Sequence, residues 1–166
     1  MPKQKAAEQI VAGFYATHDG AVALLSLSGD LRETLELPYL AMPHKSKLRI
    51  VSAQGLHERL YGVNLSVGII ALPEPPVALS HEAEANARAD STIRGYLAGR
   101  GVQMVFAKAD VIAPTSASGP QRLARQQWPD QAGIFGAADR HAAVAALVAD
   151  WGRCCIRHGG LTCHVA

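Results

Sequence analysis

The sequence predicts an α+β fold: a single compact domain over residues 1–166, its mixed or mostly antiparallel sheet covered by about four helices. Three observations carry that prediction. A chain of 166 residues with 49% hydrophobic and 18% charged residues has a globular composition and the length to bury a full core. Two or three strand-like segments run consecutively between the first two helical ones, whereas a doubly wound array would alternate strand and helix more strictly. No fixed-period repeat and no low-complexity tract interrupts the chain.

Residues 3–17 read as a first helix, with Ile10 and Phe14 on an apolar side and Lys3, Lys5, Glu8 and Gln9 mostly opposite. His18-Asp19-Gly20 is turn chemistry, since glycine takes positive φ readily and aspartate bonds nearby backbone. Residues 21–28 follow as a buried strand. Leu31, Leu35 and Leu37 fit either a short strand or a single helical turn before Pro38 and Pro43. Residues 48–54 read as a strand, and 57–60 as a connection or one helical turn. The clearest strand signal is 62–72, where Val63, Leu65, Val67 and Ile69 alternate with Asn64, Ser66 and Gly68.

After Pro73-Glu74-Pro75-Pro76 a helix is expected over 80–98. Ser80 caps it, Glu82 and Glu84 suit the positive end of its dipole, and Gly99 stops it. Residues 102–107 form another strand, continued by 111–113, and 114–120 is the most loop-like segment. A short helix over 121–127 ends at Trp128-Pro129. Asp139 opens a long last helix reaching about Arg157, Gly159-Gly160 closes it, and residues 161–165 alternate as a strand.

Charge and cysteine usage bound the function. Lys+Arg 16 against Asp+Glu 14 gives a net charge of +2, too weak a field to point to nucleic acid or an anionic membrane. There is no secretory h-region and no apolar run long enough to span a bilayer. Cys154, Cys155 and Cys163 are an odd set with two adjacent thiols, a poor disulfide framework that fits a reducing compartment. A cytoplasmic protein with no membrane partner is expected.

Several residue groups carry candidate chemistry. Cys154 and His158, four apart on a helix, with His164 beyond the Gly-Gly turn, would form a zinc set with one remote ligand. Against this, Cys155 joins the apolar stripe of Val144, Leu147, Val148 and Trp151, and Cys163 shares a face with Leu161 and Val165. The structural reading is preferred, and neither metal nor cofactor is expected. His57 stands beside Glu58, a pairing able to do general-base work. His81-Glu82 begins like a zincin helix, but Ala85 occupies the place of the second histidine.

On the same helix Asn86, Asp90 and Arg94 form a polar stripe at i, i+4, i+8. The Asp90–Arg94 pair is buried beside a pocket if that face packs on the sheet, and an exposed ion pair if the Ala85 and Ala89 side packs instead; exposure is preferred. Ser116 and Ser118 precede a short helix bearing Arg122 and Arg125, an arrangement suited to an anion.

Three functions are weighed on these residues. The first is a ligand- or partner-binding assembly module, a homo-oligomer using the alanine-rich helix at 139–153. The alternative is a small enzyme acting on an anionic metabolite, with His57, His81 and Asp90 catalytic and Asn64, Ser66, Arg94, Ser116 and Ser118 binding the ligand. Nucleic-acid contact through Arg122, Arg125, Arg140 and Arg153 in the more basic second half ranks third.

Overall fold

The computed structural model describes residues 7–40, 49–73, 80–108, 119–136 and 138–157. Five strands make one sheet: β1 (Ile10–Tyr15), β2 (Ala21–Ser26), β3 (Leu31–Glu36), β4 (Leu65–Leu72) and β5 (Gln103–Lys108). Their spatial order is β3-β2-β1-β4-β5. The first three form an antiparallel meander, while β4 runs parallel to β1 and β5 parallel to β4. The helices are α1 (Ala53–Arg59), α2 (His81–Gly99), α3 (Gly119–Gln127) and α4 (Arg140–Arg157), with a 3-10 turn at Pro129–Ile134. The mixed sheet and its helices are the α+β fold that the sequence predicts.

Both faces of the sheet are buried. On one, Val11, Leu25, Val67 and Ile69 pack with Phe135 and with Ala145, Val148 and Ala149 of α4. On the other, Phe14, Leu24 and Ile70 pack with Leu56 and Leu60 and with Ala89, Ile93 and Leu97 of α2. The helix α4 lies on the sheet almost backbone to backbone. A Cβ at Gly13 of β1 would stand 2.2 Å from the Ala145 carbonyl oxygen and 2.7 Å from the Ala149 nitrogen.

Residues 10–15 are a strand, not part of a helix over 3–17. The spacing of four between Ile10 and Phe14 puts both on one face of a strand as well as of a helix, so that pair does not separate the two periods. What decides is burial: β1 is central and covered on both sides, which suits a continuous run such as Ile10-Val11-Ala12-Gly13-Phe14. Among the described residues, the strand expected over 48–54 is reduced to one bridge between Tyr39 and Val51. It gives way because Ser52 caps α1, its Oγ accepting from the Gly55 N–H at 3.0 Å.

Elsewhere the local signals hold. The strand read over 62–72 appears as β4, from Leu65 on, but not as one alternating face. It is buried on both sides, with Val67 and Ile69 in one core cluster and Val63 and Leu65 packed with Ile70 against the other, across the register shift opposite Ile10 and Val11. Ser80 caps α2, its Oγ accepting from the Ala83 N–H at 3.1 Å. The helix runs through Gly99, and the left-handed residue that turns the chain is Gly101, at φ +65°. Trp128-Pro129 ends α3. The strands expected over 111–113 and 161–165 lie outside the described residues, as does the loop expected over 114–120 apart from Gly119 and Pro120, which are not loop but the buried first residues of α3. No helix among the described residues is long and apolar enough to cross a membrane.

Two stability predictions arise here. Gly95 lies exposed inside α2, where a Cβ would meet nothing within 4 Å. Gly95→Ala is expected to stabilise the fold by about 0.5–1 kcal/mol, seen as a higher urea midpoint at unchanged slope. The second concerns the β2–β3 turn, where Ser28 Oγ donates to Asp30 Oδ2 at 2.6 Å and Ser26 Oγ donates at 3.1 Å. These bonds, more than Arg32 or Arg153, hold the Asp30 carboxyl below its usual value. Its stabilisation is complete above the unfolded pKa of about 3.9 and is lost as pH falls through the lower folded value. Asp30→Asn is expected to flatten the acid limb of the stability curve.

Candidate functional site

In open sheets with parallel strands, ligands gather beyond the carboxyl ends of the strands, where the following helices begin. The carboxyl ends of β1 and β4 are adjacent here, with Tyr15 paired to Ala71. The amino end of α2 approaches from one side through Asn86. The amino end of α4 approaches from the other, the His141 ring lying 5.4 Å from the Tyr15 ring.

The β1–β2 loop supplies most of the polar groups. Gly20 permits its tight return, since a Cβ there would fall 1.9 Å from the Tyr15 carbonyl oxygen. The Leu37 N–H and the Tyr39 hydroxyl both donate to the Gly20 carbonyl, at 3.1 and 3.2 Å. Burial is the main cause that pushes the Tyr39 phenol well above its ordinary pKa.

Thr17 Oγ1 donates to Asp19 Oδ1 at 3.1 Å, and the His18 N–H donates to Asn86 Oδ1 at 2.8 Å. Asp19 Oδ1 also stands 3.9 Å from His18 Nδ1 and 3.8 Å from His141 Nε2. The Tyr15 phenol is raised, first by burial; Arg140 opposes the shift, and Asp19 and Glu82 add to it. A cleft of about 140 Å³ opens beside the loop, lined by Asp19, Thr34, Glu36, Asp139 and His141 among others.

The structure does not gather the residues that the sequence singles out into one cluster. His81 is the exposed first residue of α2 and stands at the carboxyl end of the sheet. Further along, Arg94 Nε donates to Asp90 Oδ1 at 2.7 Å, and its guanidinium lies 4.1 Å from the Phe106 ring centroid. With Asp90 18% and Arg94 41% exposed, the pair flanks the buried stripe Ala85, Ala89, Ile93 and Leu97 at the margin of the core.

His57 is exposed on α1, its ring edge-on to Tyr61 at 5.6 Å. Asn64 and Ser66 stand at the opposite end of the sheet, where their side chains donate to the carbonyls of Ala7 and Ile10. Ser116, Ser118, His158 and His164 lie outside the described residues. The arginines of the second half do not form one surface. Arg153 is buried on Asp150, and Arg125 Nε donates to the Phe135 carbonyl at 2.7 Å.

Tyr15, His18, Asp19, Asn86, Arg140 and His141 therefore make the site, and sequence reasoning passed over most of them. The available signal was His18-Asp19 at the end of an apolar run, which reads as an ordinary turn while the run is taken for a helix. The donor set does not suit a metal centre. The Nδ1 of His18 faces Asn86, and among the described residues no three His, Cys, Asp or Glu side chains are placed to hold a metal ion.

The strand order and mixed pairing, with helices on both faces, define a class of α+β fold seen before in a protein that handles nucleic acid. That solved protein is T. thermophilus RuvC, in complex with a Holliday junction substrate. The match covers 91% of this chain and 96% of that one, with a TM-score of 0.55 and 15% sequence identity, so the likeness is one of fold. No family model and no curated protein matches the sequence.

This likeness corrects two expectations. The chain is not best read as a ligand- or partner-binding assembly module, and nucleic acid does not belong last among its partners. A net charge of +2 averages the whole surface, so it does not by itself set nucleic acid aside; nucleic-acid recognition in general depends on locally placed donors.

Proposed function

We propose that this protein binds nucleic acid at the carboxyl end of β1 and β4. The observation that carries the reading is the near-complete coextension of its fold with that of RuvC, a protein solved on a Holliday junction. Local chemistry supports it: α2 and α4 both begin there, with the positive ends of their dipoles, together with Arg140, His18, His81 and His141. Asp19, Glu82 and Asp139 share that end, so contact depends on placed donors rather than on bulk attraction. A cytoplasmic setting accompanies the proposal.

The test is a fluorescence-anisotropy titration with a labelled four-way junction, a duplex and a single strand. Saturable binding is expected on at least one of them, with affinity falling steeply as salt rises. Arg140→Glu is expected to weaken it by about tenfold. Absence of binding to all three at low salt overturns the reading.

A further inference from the structure

Asn86 determines which nitrogen of His18 carries hydrogen. The His18 backbone N–H meets the Asn86 side chain at 2.8 Å. A backbone amide only donates, so the atom it meets is the carbonyl oxygen, and the orientation of the Asn86 amide is thereby fixed. The same oxygen lies 3.1 Å from His18 Nδ1. An acceptor at that distance requires Nδ1 to be the donor, which leaves Nε2 of the neutral ring with its lone pair free.

The His18 side chain, 17% exposed, is held in this state by its one ring bond to Asn86, and the backbone bond from His18 to the same oxygen keeps that acceptor in place. A second imidazole stands close by. His18 Nδ1 and His141 Nε2 lie 3.9 and 3.8 Å from the same Asp19 oxygen, which puts the two nitrogens within about 8 Å of each other. The Thr17 hydroxyl fixes that carboxylate and the Tyr15 ring packs against His141.

We propose that His18 and His141 form a metal-independent acid–base pair that cleaves RNA. The proposal rests on the nucleic-acid reading above. RNA is the fitting substrate class because its 2′-hydroxyl is a nucleophile already positioned beside the phosphorus and needs only a base.

In the step, His18 Nε2 takes the proton of the 2′-hydroxyl, and the 2′-oxygen forms a bond to the adjacent phosphorus. The bond from phosphorus to the 5′-oxygen breaks, and that oxygen takes a proton from the protonated His141. The products are a 2′,3′-cyclic phosphate end and a 5′-hydroxyl end. Asp19 is the counter-charge for whichever imidazole carries the proton, and Asn86 is a positioning residue.

The full chain is incubated with labelled single-stranded RNA in the presence of a chelator, beside the same oligonucleotide made with deoxyribose. Cleavage of the RNA alone is expected, with cyclic phosphate ends. His18→Ala and His141→Ala should each lower the cleavage rate by at least about 100-fold, measured at protein concentrations that saturate the RNA so that any loss of binding is separated from it. Nitrogen-resolved NMR of the unmodified protein is expected to show His18 as the Nδ1–H tautomer, and Asn86→Ala to move it toward the Nε2–H form with slower cleavage.

An Nε2–H tautomer in the unmodified protein overturns the proposal, and that measurement does not depend on whether any variant folds. So does cleavage that the chelator abolishes, or that persists undiminished in His18→Ala. Binding without cleavage overturns this proposal and leaves the nucleic-acid reading standing, whereas absence of binding overturns both.

Discussion

Gly13→Ala is expected to destabilise the protein by about 3 kcal/mol or more, read as a fall in the urea midpoint at constant slope. The added methyl group would meet the Ala145 carbonyl oxygen at 2.2 Å, the Ala149 nitrogen at 2.7 Å and the Ala149 Cβ at 2.8 Å. The first two are backbone atoms of a helix packed along its length, so no side chain can rotate out of the way. Adding Ala149→Gly should therefore recover little, because it removes the third contact and leaves the first two. The same change at Gly95 is expected to stabilise, since open space surrounds that position. A loss below about 1 kcal/mol for Gly13→Ala would show that α4 does not approach the sheet this closely.

The next largest effect is expected from Asp150→Ala. Arg153 is 8% exposed, and its Nε and Nη2 both donate to Asp150 Oδ1, at 2.9 and 2.6 Å. Removing the carboxylate leaves a guanidinium charge nearly buried against Gly29, whose added Cβ would meet the Arg153 Cζ at 3.0 Å. The loss should be about 3 kcal/mol, as for other broken buried pairs.

Replacing both partners, Asp150→Leu with Arg153→Met, is expected to restore most of that stability, because neither charge then has to be desolvated. Arg88 and Glu84 offer the control: they form an exposed pair on α2, whose loss should amount to only a few tenths of a kcal/mol. A double-mutant cycle gives the coupling directly. If Asp150→Ala is as mild as the control, the pair is solvated rather than buried.

Legibility in the sequence followed the range of the interactions. Caps and apolar β-branched runs are local, so α2, with Ser80 at its start, and the existence of β4 were readable within a few residues, though not which of its side chains face which layer. The strand β1 was not, because alanine and glycine blur the contrast between its faces and a spacing of four serves both periods. That single misreading hid the parallel pair β1–β4, and with it the end of the sheet where a site would be sought. His18 and Asn86 are 68 residues apart, and His141 comes from the last helix. No spacing rule reaches across such distances, and only the strand order brings these side chains together.

The closeness of Gly13 to Ala145 and Ala149 also bears on how the chain matures. The meander β1–β3 is complete once residue 36 has been made, yet the helix that covers one of its faces begins only at Arg140. During synthesis that apolar face, with Val11, Ala23 and Leu25, waits for more than half of the chain before its cover exists. It is the surface on which a nascent chain would recruit a chaperone or adhere to its neighbours. Stopping translation before α4 should therefore yield an adhesive meander rather than a smaller native-like protein.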